Sequence, residues 1–151
     1  MNNDERFIRL AIAEAVAATR EGNAPIGSVI TKGSRLVARG HNQVFTKHDV
    51  TAHAEIVTIR KLTQNIGNFD LRGYTVYSTF EPCAICILAM LRTNISRVVY
   101  GALGEDAPQF SSGILQQANR RVHELAKSKL KFNSGILHEE CRQLLVSAKP
   151  D

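Results

Sequence analysis

Two short segments carry residue types that do chemistry: Thr51-Ala52-His53-Ala54-Glu55 and Glu81-Pro82-Cys83-Ala84-Ile85-Cys86. Cys83 and Cys86 lie three apart, so on a helix their sulfurs share one face. One imidazole and two thiolates form a catalytic zinc set in which three protein ligands leave the fourth position to water. A closed structural site would need a fourth protein ligand. The remaining cysteine, Cys141, stands alone, and neither a second CxxC nor an HxxxH is present. His53, Cys83 and Cys86 are therefore the candidate ligands of one Zn2+ per chain, with a metal-bound water. Zinc lowers the pKa of such a water toward about 7. Glu55, beside the metal and not bonded to it, is the candidate catalytic residue. It would take the proton of that water and pass it to the group under attack.

Both segments must be positioned by helix N-termini. The positive end of a helix dipole lowers a thiol pKa and favours the thiolate. His53 and Glu55 lie about 200° apart around a helix axis and could not share a side face. In a first turn, however, side chains lean back toward the N-terminus, so both can converge on a metal off the helix end. The pattern predicts a helix from about Thr51 to Leu62. It predicts a second opened by Pro82, carrying Ile85, Leu88, Ala89 and Leu91 and stopped by Ser96. Upstream, Asn2 or Asn3 caps a helix of roughly Asp4 to Arg20 whose broad apolar face is Phe7, Ile8, Ala11, Ile12, Ala15 and Val16. Two apolar runs, Gly27 to Ile30 and Leu36 to Arg39, flank a turn in which Gly33 supplies a positive φ. Thr75 to Ser78 and Arg97 to Gly101 read as strands. A helix at Gln116 to Ser128, an edge strand at Leu130 to Phe132 and a helix at Ile136 to Ala148 follow. Strands alternating with helices argue for an α/β sandwich around one sheet, and no linker or repeat divides residues 1–151 into more than a single domain.

The ordered pair H-x-E and P-C-x-x-C is the pattern of zinc-dependent nucleobase deaminases. The sequence resembles the cytidine/deoxycytidylate deaminase superfamily, in the branch of tRNA adenosine deaminase, guanine deaminase and fungal cytosine deaminase. The stretches that carry the resemblance are Ala24 to Gly27, Arg39 to Asn42, His48 to Glu55, Glu81 to Cys86 and Arg97 to Gly101, with a shorter one at Gly135 to Cys141. It implies a cytidine deaminase-like fold, a three-layer α/β/α sandwich with a central mixed five-stranded sheet, in a homodimer. It implies hydrolytic release of ammonia, with Glu55 serving both proton transfers. Asn42 matches the residue that hydrogen-bonds the base, and a carboxamide does offer donor and acceptor together. The backbone of Ala54 and of Glu81 would line the pocket, with Pro25 to Gly27 in its floor. Phe110 is a candidate for stacking over the base. His41 and His48 read as surface residues of the loop flanking the pocket, His123 and His138 as solvated, and Cys141 as a packing residue.

The bulk numbers narrow the class. A composition 44% hydrophobic and 22% charged is that of a globular chain. Three cysteines argue against a disulfide framework. The polar start from Met1 to Arg6 is no signal peptide, and no apolar run nears the roughly 20 residues that span a bilayer. A soluble cytoplasmic protein without a membrane partner is expected. The net charge of +5 suits an anionic partner such as RNA or a phosphorylated metabolite, although the basic residues are scattered. Three readings of function compete: a free base or nucleoside of guanine or cytosine type, the wobble adenosine of tRNA, and a non-catalytic zinc module. The intact Glu55 argues against the last. His48 to Glu55 and Gly135-Ile136-Leu137 pull toward the tRNA enzyme. Its Asn-His pair and its Phe-Phe…Arg tail are missing, and Ala107 to Phe132 departs from its pattern where RNA contacts would lie. The sequence thus favours a small-molecule base or nucleoside, with tRNA as the alternative.

Overall fold

The computed structural model describes residues 1–151. Its strands are β1 (Gly27–Lys32), β2 (Arg35–His41), β3 (Tyr74–Phe80), β4 (Arg97–Ala102) and β5 (Lys131–Asn133). Its helices are α1 (Asn3–Arg20), α2 (Val44–Lys47), α3 (Ala54–Ile66), α4 (Ala84–Arg92), α5 (Gly113–Ala126) and α6 (His138–Leu145), with 3-10 turns at Gly104–Asp106 and Pro108–Phe110. The strand order is β2-β1-β3-β4-β5. The first two pairings are antiparallel and the last two parallel, so the sheet is mixed. Antiparallel β1 and β2 need only a tight turn, and Lys32 pairs with Arg35 across Gly33 at φ 60. The parallel pairs need crossovers, which α4 and α5 supply.

Alternation along the strands separates two cores. Val29, Tyr77 and Val99 stand in register across the sheet and pack against Phe7, Ile8 and Ala11 of α1 and Cys141 and Leu145 of α6. The neighbouring row, Ile30, Val76 and Val98, packs against Ile59 and Leu62 of α3 and Ile87 and Met90 of α4. The result is the three-layer α/β/α sandwich with a mixed five-stranded sheet that the resemblance implied. Gly101 allows a close approach of α6: a Cβ there would collide with the sulfur of Cys141. The packing role expected for Cys141 is thereby met, and burial pushes its thiol up to about 12. Asp4 of α1 is tied to β4 by a forked ion pair with Arg97, at 2.6 and 3.0 Å, and accepts from the Tyr77 hydroxyl at 2.9 Å.

Several expectations need adjustment. α4 ends at Arg92, short of Ser96; α5 starts at Gly113, ahead of Gln116; α6 covers only His138–Leu145 of the span expected from Ile136 to Ala148; and Val16 of α1 is exposed. The helix expected from Thr51 begins at Ala54, because Asp49 accepts from the Thr51 N–H and hydroxyl at 2.9 and 2.7 Å and holds a turn ahead of it. Pro82 precedes the cap of α4 and does not occupy its first turn. The buried face of α4 is Cys86, Ile87 and Met90, whereas Ile85 and Leu88 are 46% and 50% exposed. No helix is long and apolar enough to cross a membrane.

Candidate active site

At the carboxyl end of β3 two helix N-termini meet. His53 is the N-cap of α3 and Cys83 the N-cap of α4, both with extended backbone. Neither side chain caps its own helix, which frees both to turn toward each other. The His53 Nδ1 lies 3.3 Å from the Cys83 Sγ and 3.6 Å from the Cys86 Sγ, and the sulfurs are 3.8 Å apart. Two sulfurs about 2.3 Å from a tetrahedral zinc are about 3.8 Å apart, and a sulfur and an imidazole nitrogen about 3.5 Å apart. The donor triangle therefore has the dimensions and the chemistry of a zinc site, and the three predicted ligands are brought together.

The electrostatics suit the same assignment. The Cys86 thiol first, and then His53, hold Cys83 down to about 4 against the effect of burial. Burial opposes charge on His53, but the hydrogen bond and charge of Cys83 carry the imidazole up to about 9. Cys86 is pushed well above the usual thiol range by its partner sulfur and by burial. A sulfur that is readily a thiolate is the form in which cysteine binds metal.

Glu55 is only 3% exposed and stands at the edge of this triangle. Its Oε2 accepts from the Cys86 thiol at 3.1 Å and its Oε1 from the Ser78 hydroxyl at 2.5 Å. Burial raises its pKa, and the Ser78 hydrogen bond partly offsets the rise. The carboxyl is thus prepared to hold a proton as well as to give one up.

A cavity of about 340 Å³ opens beside the triangle. Ala54, Glu81 and Phe110 line it, and the Phe110 ring packs edge-on against Phe80 with centroids 5.5 Å apart. The Glu81 carboxylate accepts from the Gly104 N–H at 3.0 Å and lies 3.3 Å from the His123 Nδ1. Burial pushes Glu81 up, but His123 and the Gly104 N–H outweigh it and hold the group below the usual range. Asn42 is fully buried behind the wall: its Oδ1 accepts from the Val44 N–H at 3.0 Å, and its Nδ2 donates to Asp151, which lines the cavity. Pro25 is not brought in. The chain entering β1 turns Ile26 to the cavity and leaves Pro25 in a second cleft with Ala24, Phe45 and Leu144.

Two histidines expected to be solvated are engaged. His123 is 18% exposed in its side chain, packs on Phe132 with centroids 4.1 Å apart, and has a buried Nε2 without a partner. His138 lies 2.7 Å from the Asp106 carboxylate. His41, expected as a surface loop residue, ends β2 between the carboxylates of Glu14 and Glu21 at 2.9 and 2.8 Å. His48 is exposed as expected. Sequence reasoning missed Ser78 and the α5 residues Gln116, Asn119 and Arg120 that line the cavity. The only signal in the sequence was the i, i+3, i+4, i+7 spacing of Gln116, Asn119, Arg120 and His123, which puts these polar residues on one helix face.

Comparison with known proteins adds to this geometry. The chain is 33% identical over 144 residues to a tRNA-specific adenosine deaminase of Buchnera aphidicola subsp. Schizaphis graminum, covering 95% of this chain and 92% of that one. It is 35% identical over 145 residues to a tRNA-specific adenosine deaminase of Bacillus subtilis, covering 96% and 88%. A solved structure from work on A-to-I editing by tRNA:A34 deaminases at the wobble position of transfer RNA is similar at 33% identity and a TM-score of 0.77, covering 93% and 99%. These relatives overturn the preference for a free base or nucleoside. The similarity runs through Ala107 to Phe132, the region whose departures from the tRNA-enzyme pattern had suggested a small substrate. The family model described as the cytidine and deoxycytidylate deaminase zinc-binding region matches residues 1–102. That match contains both metal-ligand segments and all of the donor triangle, and the chain belongs to the cytidine and deoxycytidylate deaminase family.

Proposed function

We propose that this hydrolase deaminates an adenosine in tRNA, at the wobble position, to inosine. The observation that carries the chemistry is the Glu55 carboxyl at the edge of the His53–Cys83–Cys86 triangle, buried and hydrogen-bonded but outside the triangle itself. His53, Cys83 and Cys86 hold the zinc, which when bound acidifies water to a pKa near about 7. Glu55 takes a proton from the attacking water and delivers it to a ring nitrogen; it then takes the remaining proton from the hydroxyl now on the carbon and passes it to the departing amine, so that ammonia leaves and the ring keeps a carbonyl. The backbone of Ala54 and Glu81 orients the base and Phe110 stacks on it, whereas Asn42, expected to bind the base, is buried behind the cavity wall with both amide atoms engaged. A base inside a structured RNA must be splayed out to enter such a cavity, which is easiest in a loop. Support for the tRNA substrate comes from relatives named for it that match this chain over at least 95% of its length. The net charge of +5 agrees with a polyanionic partner. We further propose that residues 1–151 act as a single domain in a cytoplasmic homodimer. The half-exposed Ile85 and Leu88 on the outer face of α4 support the dimer.

The test is a panel of tRNA, an anticodon stem-loop with adenosine at the wobble position, and the free bases and nucleosides. Inosine should form in the RNAs and little ammonia should come from the small molecules. Efficient turnover of a free base with inert RNA would sink the substrate assignment.

A further inference from the structure

We propose that α5 clamps the zinc-binding loop at two points on either side of Cys83. The first is Asn119, whose Oδ1 accepts from the Ala84 N–H at 2.8 Å while its Nδ2 donates to the Ser111 hydroxyl at 3.0 Å. The second is His123, whose Nδ1 lies 3.3 Å from the Glu81 carboxylate. Asn119 and His123 are four apart, one helical turn, and so project from the same face of α5. Ala84 directly follows Cys83, and Glu81 comes two residues before it.

The need for such a clamp follows from the chemistry of the ligand. The first N–H groups of a helix lack intrahelical acceptors and are ordinarily satisfied by the N-cap side chain and its surroundings. At α4 the N-cap is Cys83, whose side chain makes no cap and faces His53 instead. Ala84 is the first residue of that helix, whose N–H an N-cap side chain does not serve in any case, and the carboxamide from another helix supplies the acceptor it needs. On the other flank, the Glu81 side chain is held by the Gly104 N–H and His123, while its own N–H donates to the Ala102 carbonyl at 2.9 Å. Pro82, between them, has a fixed φ, so anchoring its neighbours fixes the direction in which Cys83 presents its sulfur. The burial of His123 against Phe132 and Tyr100, with its Nε2 unpartnered, is then explained by what its Nδ1 holds. Asn119 and His123 are positioning residues, and the clamp links the loop bearing Ser111, at the cavity, to the metal centre.

The proposal rests on the zinc reading of the site, and release of the metal separates the two. Zinc transfer from the folded holoprotein to the chromophoric chelator 4-(2-pyridylazo)resorcinol is followed at a temperature below every variant's unfolding. Asn119→Ala and His123→Ala should each release zinc about tenfold faster than wild type, the low end of what loss of a ligand-supporting contact costs. Asn119→Asp keeps an acceptor for the Ala84 N–H, and His123→Asn keeps a nitrogen near Glu81; both should restore slow release. In the cobalt-substituted protein the two alanine variants should shift the thiolate-to-metal charge-transfer band. Glu124→Ala, exposed on the same helix, should leave both readouts unchanged. Wild-type release rates and an unshifted band in both alanine variants would overturn the clamp, even if their melting temperatures fell. If Asn119→Ala fails to fold, His123→Ala and its asparagine rescue decide the matter alone. A wild-type protein that carries no zinc would overturn the zinc reading and the clamp together.

Discussion

Ser78 serves Glu55 in either protonation state. Its hydroxyl lies 2.5 Å from the Glu55 Oε1 and 2.9 Å from the Phe80 carbonyl. The Phe80 N–H points at the same oxygen from 3.3 Å. When Glu55 is a carboxylate, Ser78 donates to it. When Glu55 is protonated, it can donate to Ser78, whose own proton then turns to the Phe80 carbonyl. Ser78→Ala removes this accommodation without touching a zinc ligand. Turnover should fall roughly tenfold to a hundredfold, the range for a hydrogen bond to a charged group, with zinc content unchanged. Steady-state kinetics and metal analysis check both, and unaltered turnover would show that Glu55 needs no such partner.

Glu55→Ala should retain zinc and lose turnover by at least about a hundredfold to ten-thousandfold, the usual worth of general acid–base catalysis. Near-normal inosine formation by that variant would remove Glu55 from the reaction.

Cys83→Ser and Cys86→Ser should each lose most of their zinc, because a serine hydroxyl is a far poorer donor than a thiolate to this metal. Elemental analysis of the purified proteins decides it. Full metal occupancy in both variants would contradict the ligand assignment.

The Asp4–Arg97 pair makes stability depend on acid. The Arg97 hydrogen bonds hold the Asp4 carboxyl below its ordinary value of 3.8, outweighing burial. A carboxyl depressed in the folded state contributes stability above its unfolded pKa and loses it as pH falls through the folded one. Wild type should therefore lose stability below pH 3.8 more steeply than Asp4→Asn, which should be less stable at neutral pH. Denaturant melts across that range measure it, and parallel curves would argue against the pair.

Leu88→Glu should shift the proposed homodimer toward monomer, since it places a charge at the centre of the exposed face of α4. Sedimentation of wild type and variant reads the change. A wild type that sediments as a monomer would rule out the pairing.

The sequence alone was enough to mark His53, Cys83 and Cys86 as a metal-ligand set, to single out Glu55 as the carboxylate beside them, and to read the hairpin at Gly33 and the strand–helix alternation. Each of these is encoded locally, by side-chain chemistry, by a backbone that must take positive φ, or by a period of two against 3.6. Periodicity also marks which residues share a face, but not what that face meets. Tertiary packing decided that Ile85 and Leu88 of α4 point outward, that Pro25 turns away while Ile26 turns in, and that His123 is engaged beside Glu81. It also brought Asn119 to the Ala84 N–H, 35 residues distant along the chain. Such contacts arise only when the sheet has set the separation of the helices. Until then an exposed polar side chain and the partner of a buried loop look the same.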